Sequence, residues 1–168
     1  MDVVFEKKSA MTFIGCHTWI PYGQDQLSNP EFRDEEYHRA IQRLMEDAAS
    51  SASGKQAMTD NSIGKYAISL QSKQGFFCWI AGLYQGGEVP EGFSLYFFPE
   101  CTWAVFTDKG PLPQTIHALY DEVTEKWIRT EGEKLHADRR TIVEMYFGKD
   151  PKSEDCRSEI WVPIHPEH

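Results

Sequence analysis

The sequence holds no CxxC pair; its four cysteines stand apart at 16, 78, 101 and 156. That spacing offers neither a zinc set nor a disulfide framework. Cys78 lies inside an apolar run and Cys16 beside one, so both read as small core residues. No apolar run approaches the roughly 18 residues of a membrane span. The opening "MDVVFEKKSAM" is charged and carries no apolar stretch of the signal-peptide kind, so a cytoplasmic protein is expected. Lys and Arg form no run or stripe, and the net charge of −9 repels phosphate backbones. Direct nucleic-acid binding is therefore not expected. Neither Gly54-Lys55 nor Gly64-Lys65 has the upstream glycine of a phosphate loop. His17, His38, His117 and His136 lack ligand spacing, and no GxSxG elbow occurs. Neither a metal nor a cofactor is expected.

What is present is a core-forming chain rich in rings. Its 168 residues are 40% hydrophobic, enough for one domain or two small fused halves. Aromatics reach 13%, with five Trp, seven Tyr and ten Phe. Many of these must be core, and the excess leaves room for an aromatic-lined cavity. The acidic balance favours cationic ligands or basic partners.

Residues 3 to 20 alternate and then turn apolar, which predicts a first strand, bent near Gly15. Asn29-Pro30 reads as a helix start, a capping side chain followed by proline at the first helical position. Tyr37, Ile41, Leu44 and Met45 give that helix, about 31–47, an apolar stripe. "ASSASGKQAMTDNSIGK" is small, polar and unpatterned, and reads as a long loop. "YAISLQS" and "FFCWIAGLY" read as strands, and "SLYFFPE" as a short extended piece. "WAVFTDKG" is a strand that "GPLP" turns into a helix over about 112–131. That helix keeps Leu112, Ile116, Leu119, Tyr120, Val123 and Trp127 on one face, so Tyr120 and Trp127 read as core. "TEGEKLHADRR" reads as a polar linker, "TIVEMYF" as a strand and "EIWVPI" as a last strand. Strand–helix–strand–strand thus occurs twice, without a sequence repeat. This predicts an α+β domain, a largely antiparallel sheet with helices on one face.

The run "WAVFTDKGPLPQTIHALYDEVTEKW", followed by "IVEMYF" and "EIWVPI", resembles the effector-binding domains of the GyrI-like family. Such domains occur in AraC-type and MerR-type bacterial multidrug regulators, and also alone. The resemblance is strong over residues 103 to 164 and weaker over 1 to 100. It implies one effector-binding domain over 1–168. Its two modules would span about 1–100 and 101–168, related by a pseudo-twofold, with a ligand cleft between them. The cleft would take lipophilic, often cationic, molecules. Glu144 holds the position of a cleft-facing acid in the penultimate strand. Glu159 and Trp161 match the last-strand positions that contribute side chains two apart.

Alternation gives Glu144 the same strand face as Ile142 and Tyr146, opposite Val143, Met145 and Phe147. If the latter three meet the helices, Glu144 and Tyr146 meet the cleft. Taking Ile160, Val162 and Ile164 as the core set of the last strand leaves Glu159 and Trp161 for the cleft. Trp79 and Trp103 are open between core and cleft wall. The expected ligand-binding set is therefore Glu144, Tyr146, Glu159, Trp161, Trp79 and Trp103. A carboxylate among aromatic faces would attract a desolvated organic cation. Two modules leave no room for a helix-turn-helix, so the chain is expected to bind an effector without reading DNA. Its role would be linked to transcriptional regulation or drug resistance. The resemblance leaves two alternatives. One is a hydrolase that opens the cyclopropane of genotoxic natural products, with Glu144 as general base. The other is a gyrase-inhibitor-type module that binds a protein partner.

Overall fold

The computed structural model describes residues 2–22, 30–147 and 150–165, without the side chains of 30–34 and 36. Asn29, expected to cap the first helix, lies outside the described residues. The chain divides into two compact units. The first is Met11–Phe98; the second joins Met1–Ala10 to Pro99–His168. The fold class is α+β with antiparallel strand pairing.

In the first unit, β2 (Met11–Pro21) leads into α1 (Pro30–Ala48) and α2 (Ala52–Asp60). Strands β3 (Tyr66–Gln71), β4 (Gly75–Leu83) and β5 (Ser94–Phe98) follow. The strands lie in the order β3-β4-β2-β5. Ile14, Cys16, Ile20, Phe76 and Cys78 project from one sheet face into clusters with Ala40, Ala48 and Ala57 of the helices. The first strand predicted from the sequence is two strands. β1 (Asp2–Lys8) ends before Ser9-Ala10, and its residues belong to the second unit.

Helix α2 occupies the stretch read as a loop. Its signals are short-range ones that an apolar pattern does not display. Ser51 caps it, its Oγ accepting from Gly54 N at 2.9 Å. Its inward face is made by Gly54 and Ala57, whose small side chains let the helix lie close. Beyond it, Asn61 is buried and satisfied, its amide donating to Ala57 O and its Oδ1 accepting from Gln85 N. Gly82 packs against this turn so tightly that a Cβ there would sit 1.8 Å from Asn61 O.

The second unit repeats the order. β6 (Cys101–Lys109) leads into α3 (Gln114–Asp121), which opens into a wider turn over Glu122–Trp127. There Ile128 N donates to Val123 O, five residues back, at 2.9 Å. A short helix, α4 (Glu131–Lys134), replaces the expected linker. β7 (Thr141–Phe147) and β8 (Arg157–Ile164) complete the unit. The strands lie in the order β7-β8-β6-β1, the counterpart of β3-β4-β2-β5. Its core joins Ala104, Phe106, Ile142, Ile160 and Val162 of the sheet to Ile116, Leu119, Val123, Trp127 and Ile128. Phe106 and Trp127 meet edge-to-face at 4.7 Å. Burying each such large side chain contributes about 1.5–3 kcal/mol. Among the described residues no helix is long and apolar enough to cross a membrane.

Candidate functional site

Strand register decides which residues share a face. Glu144 of β7 lies opposite Ile160 of β8, and Ile160 lies opposite Phe106 of β6. Ile160 and Phe106 belong to the core beneath α3, with Ile142 and, at its margin, Tyr146. Glu144, between Ile142 and Tyr146, therefore faces the helix side. This corrects the expectation that Val143, Met145 and Phe147 meet the helices. Val143 lies opposite Trp161 and Met145 opposite Glu159, on the face away from α3. Both faces of β7 are apolar enough to be buried, so alternation allowed either orientation. The pairing with β8 chose one.

The carboxyl of Glu144 is held by one described hydrogen bond. The Tyr146 hydroxyl donates to Glu144 Oε2 at 2.5 Å. Among the described residues no Lys, Arg or His forms an ion pair with Glu144. The residue as a whole keeps some solvent contact. Its carboxyl is nevertheless surrounded by protein atoms, and this desolvation raises its pKa above the ordinary glutamate value. The Tyr146 bond opposes the rise and is the smaller effect. The result is an acid that stays protonated at higher pH than usual and ionises when something stabilises its charge. The aromatic residues of this cluster are Phe106, Trp127, Tyr120 and Tyr146. Trp127 is buried in this core as expected, whereas Tyr120 is only half-buried at its margin.

The remaining expected site residues are elsewhere. Trp161, Glu159 and Trp103 share the opposite face of the same sheet. The Trp161 Nε1–H donates to Glu159 Oε1 at 2.9 Å, and Arg157 pairs with Glu159 Oε2 at 3.1 Å. Lys8 Nζ sits 4.2 Å from the Trp161 ring centroid and also pairs with Glu6 at 3.0 Å. Trp103 meets Trp161 edge-to-face at 5.9 Å. This second acid-and-aromatic group already holds the protein's own cations. Trp79 belongs to the first unit, on the sheet face away from α1 and α2. There it stacks on His17 at 4.3 Å and meets the edge of Tyr96 at 5.5 Å. Among the described residues no cluster of three His, Cys, Asp or Glu could hold a metal ion.

A family model described as the GyrI-like small-molecule binding domain matches residues 1–165. The chain belongs to the GyrI-like family. Its two units with matching strand order are the fold of that family as this chain builds it. A transcriptional regulator of Pseudomonas aeruginosa, BrlR, is 29% identical over 105 residues, covering 60% of this chain. The match spans 37% of that regulator's length. Solved structures share the fold of this GyrI-like chain, two of them over nearly its whole length. One, SAV2435 bound to tetraphenylphosphonium, superposes with a TM-score of 0.69 at 16% identity, covering 98% of this chain and 94% of the other. The other, the C-terminal domain of EcmrR, gives 0.58 at 12% identity, covering 98% and 97%.

Proposed function

We propose that this GyrI-like domain binds a lipophilic organic cation at Glu144, on the helix-covered face of the second unit. The observation that carries the reading is the buried carboxyl with a phenol as its described partner and no described ion pair. A buried carboxyl without a countercharge favours its neutral form, and a bound cation would supply the charge that lets it ionise. Tyr120 and Tyr146 lie half-buried at the margin of the core beneath α3, and they are the rings a ligand at Glu144 could meet. Each ring in contact with a cation adds about 0.5–2 kcal/mol. SAV2435, of the same fold, holds tetraphenylphosphonium, a cation of this chemical class. Glu144 and Tyr146 are the residues assigned to the ligand. Glu159, Trp161 and Trp103 serve instead as a structural group on the other sheet face.

The similarity to a transcriptional regulator supports an effector role, in which ligand occupancy is the signal. The test is titration of the protein with tetraphenylphosphonium by calorimetry, in wild type and Glu144→Gln. Binding by wild type and its marked weakening in the variant supports the reading. Equal binding by both overturns it. One feature also fits the hydrolase reading: a carboxyl with raised pKa beside a phenol could act as base and acid on a strained ring. That reading requires turnover of a cyclopropane substrate, lost in Glu144→Gln with binding retained.

A further inference from the structure

Strand β1 is an edge. β6 runs along one side of it, and no described strand runs along the other. Its outer groups are therefore open to another chain, the situation proteins ordinarily blunt with charge, bulges or cover. β1 carries charge at its two ends, Asp2 and Glu6 to Lys8, and none in its middle. Val3, Val4 and Phe5 are 37%, 52% and 53% exposed in succession, covering both faces of the strand. Its charges are drawn aside: Lys7 pairs with Glu100 at 2.9 Å, and Lys8 folds back to Glu6 and over Trp161. The terminal charges of "DVVFEKK" are also of opposite sign, Asp2 at one end and Lys8 at the other.

We propose that two copies of this chain pair antiparallel through β1, with Phe5 facing Phe5 at a twofold axis. The strand selects this register over its neighbours. Centring on Phe5 sets Asp2 opposite the partner's Lys8, which would exchange its Glu6 partner for Asp2 on pairing, Val3 opposite the partner's Lys7 and Val4 opposite the partner's Glu6. Centring on Val4 would set Asp2 against the partner's Glu6, two like charges directly opposed, which destabilises a strand pair. A shift by one residue would put Phe5 on the face opposite its counterpart. In the first unit the edge strand β5 is also apolar, with Leu95 and Phe97 exposed. Its sequence "SLYFF" carries no charge that could fix a register. An interface at β1 is isologous, so it closes as a dimer and does not propagate. It stands independently of any ligand at Glu144.

Sedimentation equilibrium across micromolar to high-micromolar concentration tests the pairing on the full chain. Wild type is expected to show a monomer–dimer equilibrium. Phe5→Lys should raise the dimer dissociation constant on the order of 10-fold or more, by replacing an aromatic pair with two like charges. Asp2→Lys should weaken it too, and Phe97→Lys should not. Register is read by cross-linking under mild oxidation. Phe5→Cys should form a covalent dimer, because residues directly opposite bring their Cβ atoms to about 4.5–5.5 Å. Val3→Cys should not, because the two copies of residue 3 lie roughly 13 Å apart in this register. A monomer throughout overturns the proposal. So does a dimer lost on Phe97→Lys and kept on Phe5→Lys, or cross-linking of Val3→Cys as fast as Phe5→Cys.

Discussion

Glu144→Gln keeps the shape of the side chain and removes its charge. Glu144 holds a hydrogen bond from Tyr146 in a desolvated setting. A monovalent organic cation about 5 Å from the ionised carboxylate gains roughly 3 kcal/mol at an effective dielectric of ~20. Rearranging the Tyr146 bond takes back about 1 kcal/mol. The variant should therefore bind tetraphenylphosphonium about 30-fold more weakly, the equivalent of about 2 kcal/mol. Affinity should also depend on pH. Because the Glu144 pKa is raised, part of the free protein carries the proton above the ordinary glutamate range, and the cation must displace it. Wild-type affinity should then rise with pH until it passes the raised pKa and level off above it. Calorimetry in buffers of different ionisation enthalpy should detect a released proton on the rising limb. Glu144→Gln should show neither the pH slope nor the proton. A pH-independent wild-type affinity, or a variant that matches wild type at every pH, would refute the reasoning.

Stability should move the opposite way. The folded protein binds the Glu144 proton more tightly than the unfolded chain does, so stability falls as pH rises from the unfolded pKa through the folded one. In urea titrations the wild type should lose stability across that window relative to Glu144→Gln. Tyr146→Phe removes the bond that holds the Glu144 pKa down, so the midpoint of the affinity–pH curve should shift upward. Trp161→Ala deletes the ring under Lys8 and against Trp103. It should cost about 3–5 kcal/mol of stability in denaturant titration while leaving cation affinity per folded molecule little changed. Gly82→Ala drives a Cβ into the Asn61 carbonyl and should destabilise by about 1–3 kcal/mol or more.

Much of the fold was legible because its elements carry strong periodic signals. The stripe Ile116, Leu119, Val123, Trp127 specified a helix, and the apolar and alternating runs of 66–72, 76–84, 141–147 and 159–164 specified strands. The repeated element order gave the α+β class. The sequence also fixed that Glu144 and Tyr146 share a face, since a strand's side chains alternate whatever surrounds it. It did not reveal α2, whose buried positions are Gly54 and Ala57; small residues make a close helix contact without an apolar stripe. It did not reveal that the chain breaks between Lys8 and Met11, because the same alternation continues on either side of Ser9-Ala10.

Nor could it say which face of β7 meets α3. Ile142 and Tyr146 on one side, and Val143 and Met145 on the other, are both apolar enough for a core. Period-two alternation then has two equivalent solutions. Only the pairing of Glu144 with Ile160, and of Val143 with Trp161, separates them. That register joins residues distant in the chain, and its energy comes from filling the space beneath α3. The same register parted Glu144 from Trp161 and Glu159, which the sequence had placed together. A face is a local property of a strand and is written in its sequence. What lies against that face is set by packing across the sheet, so it existed only once the chain had folded.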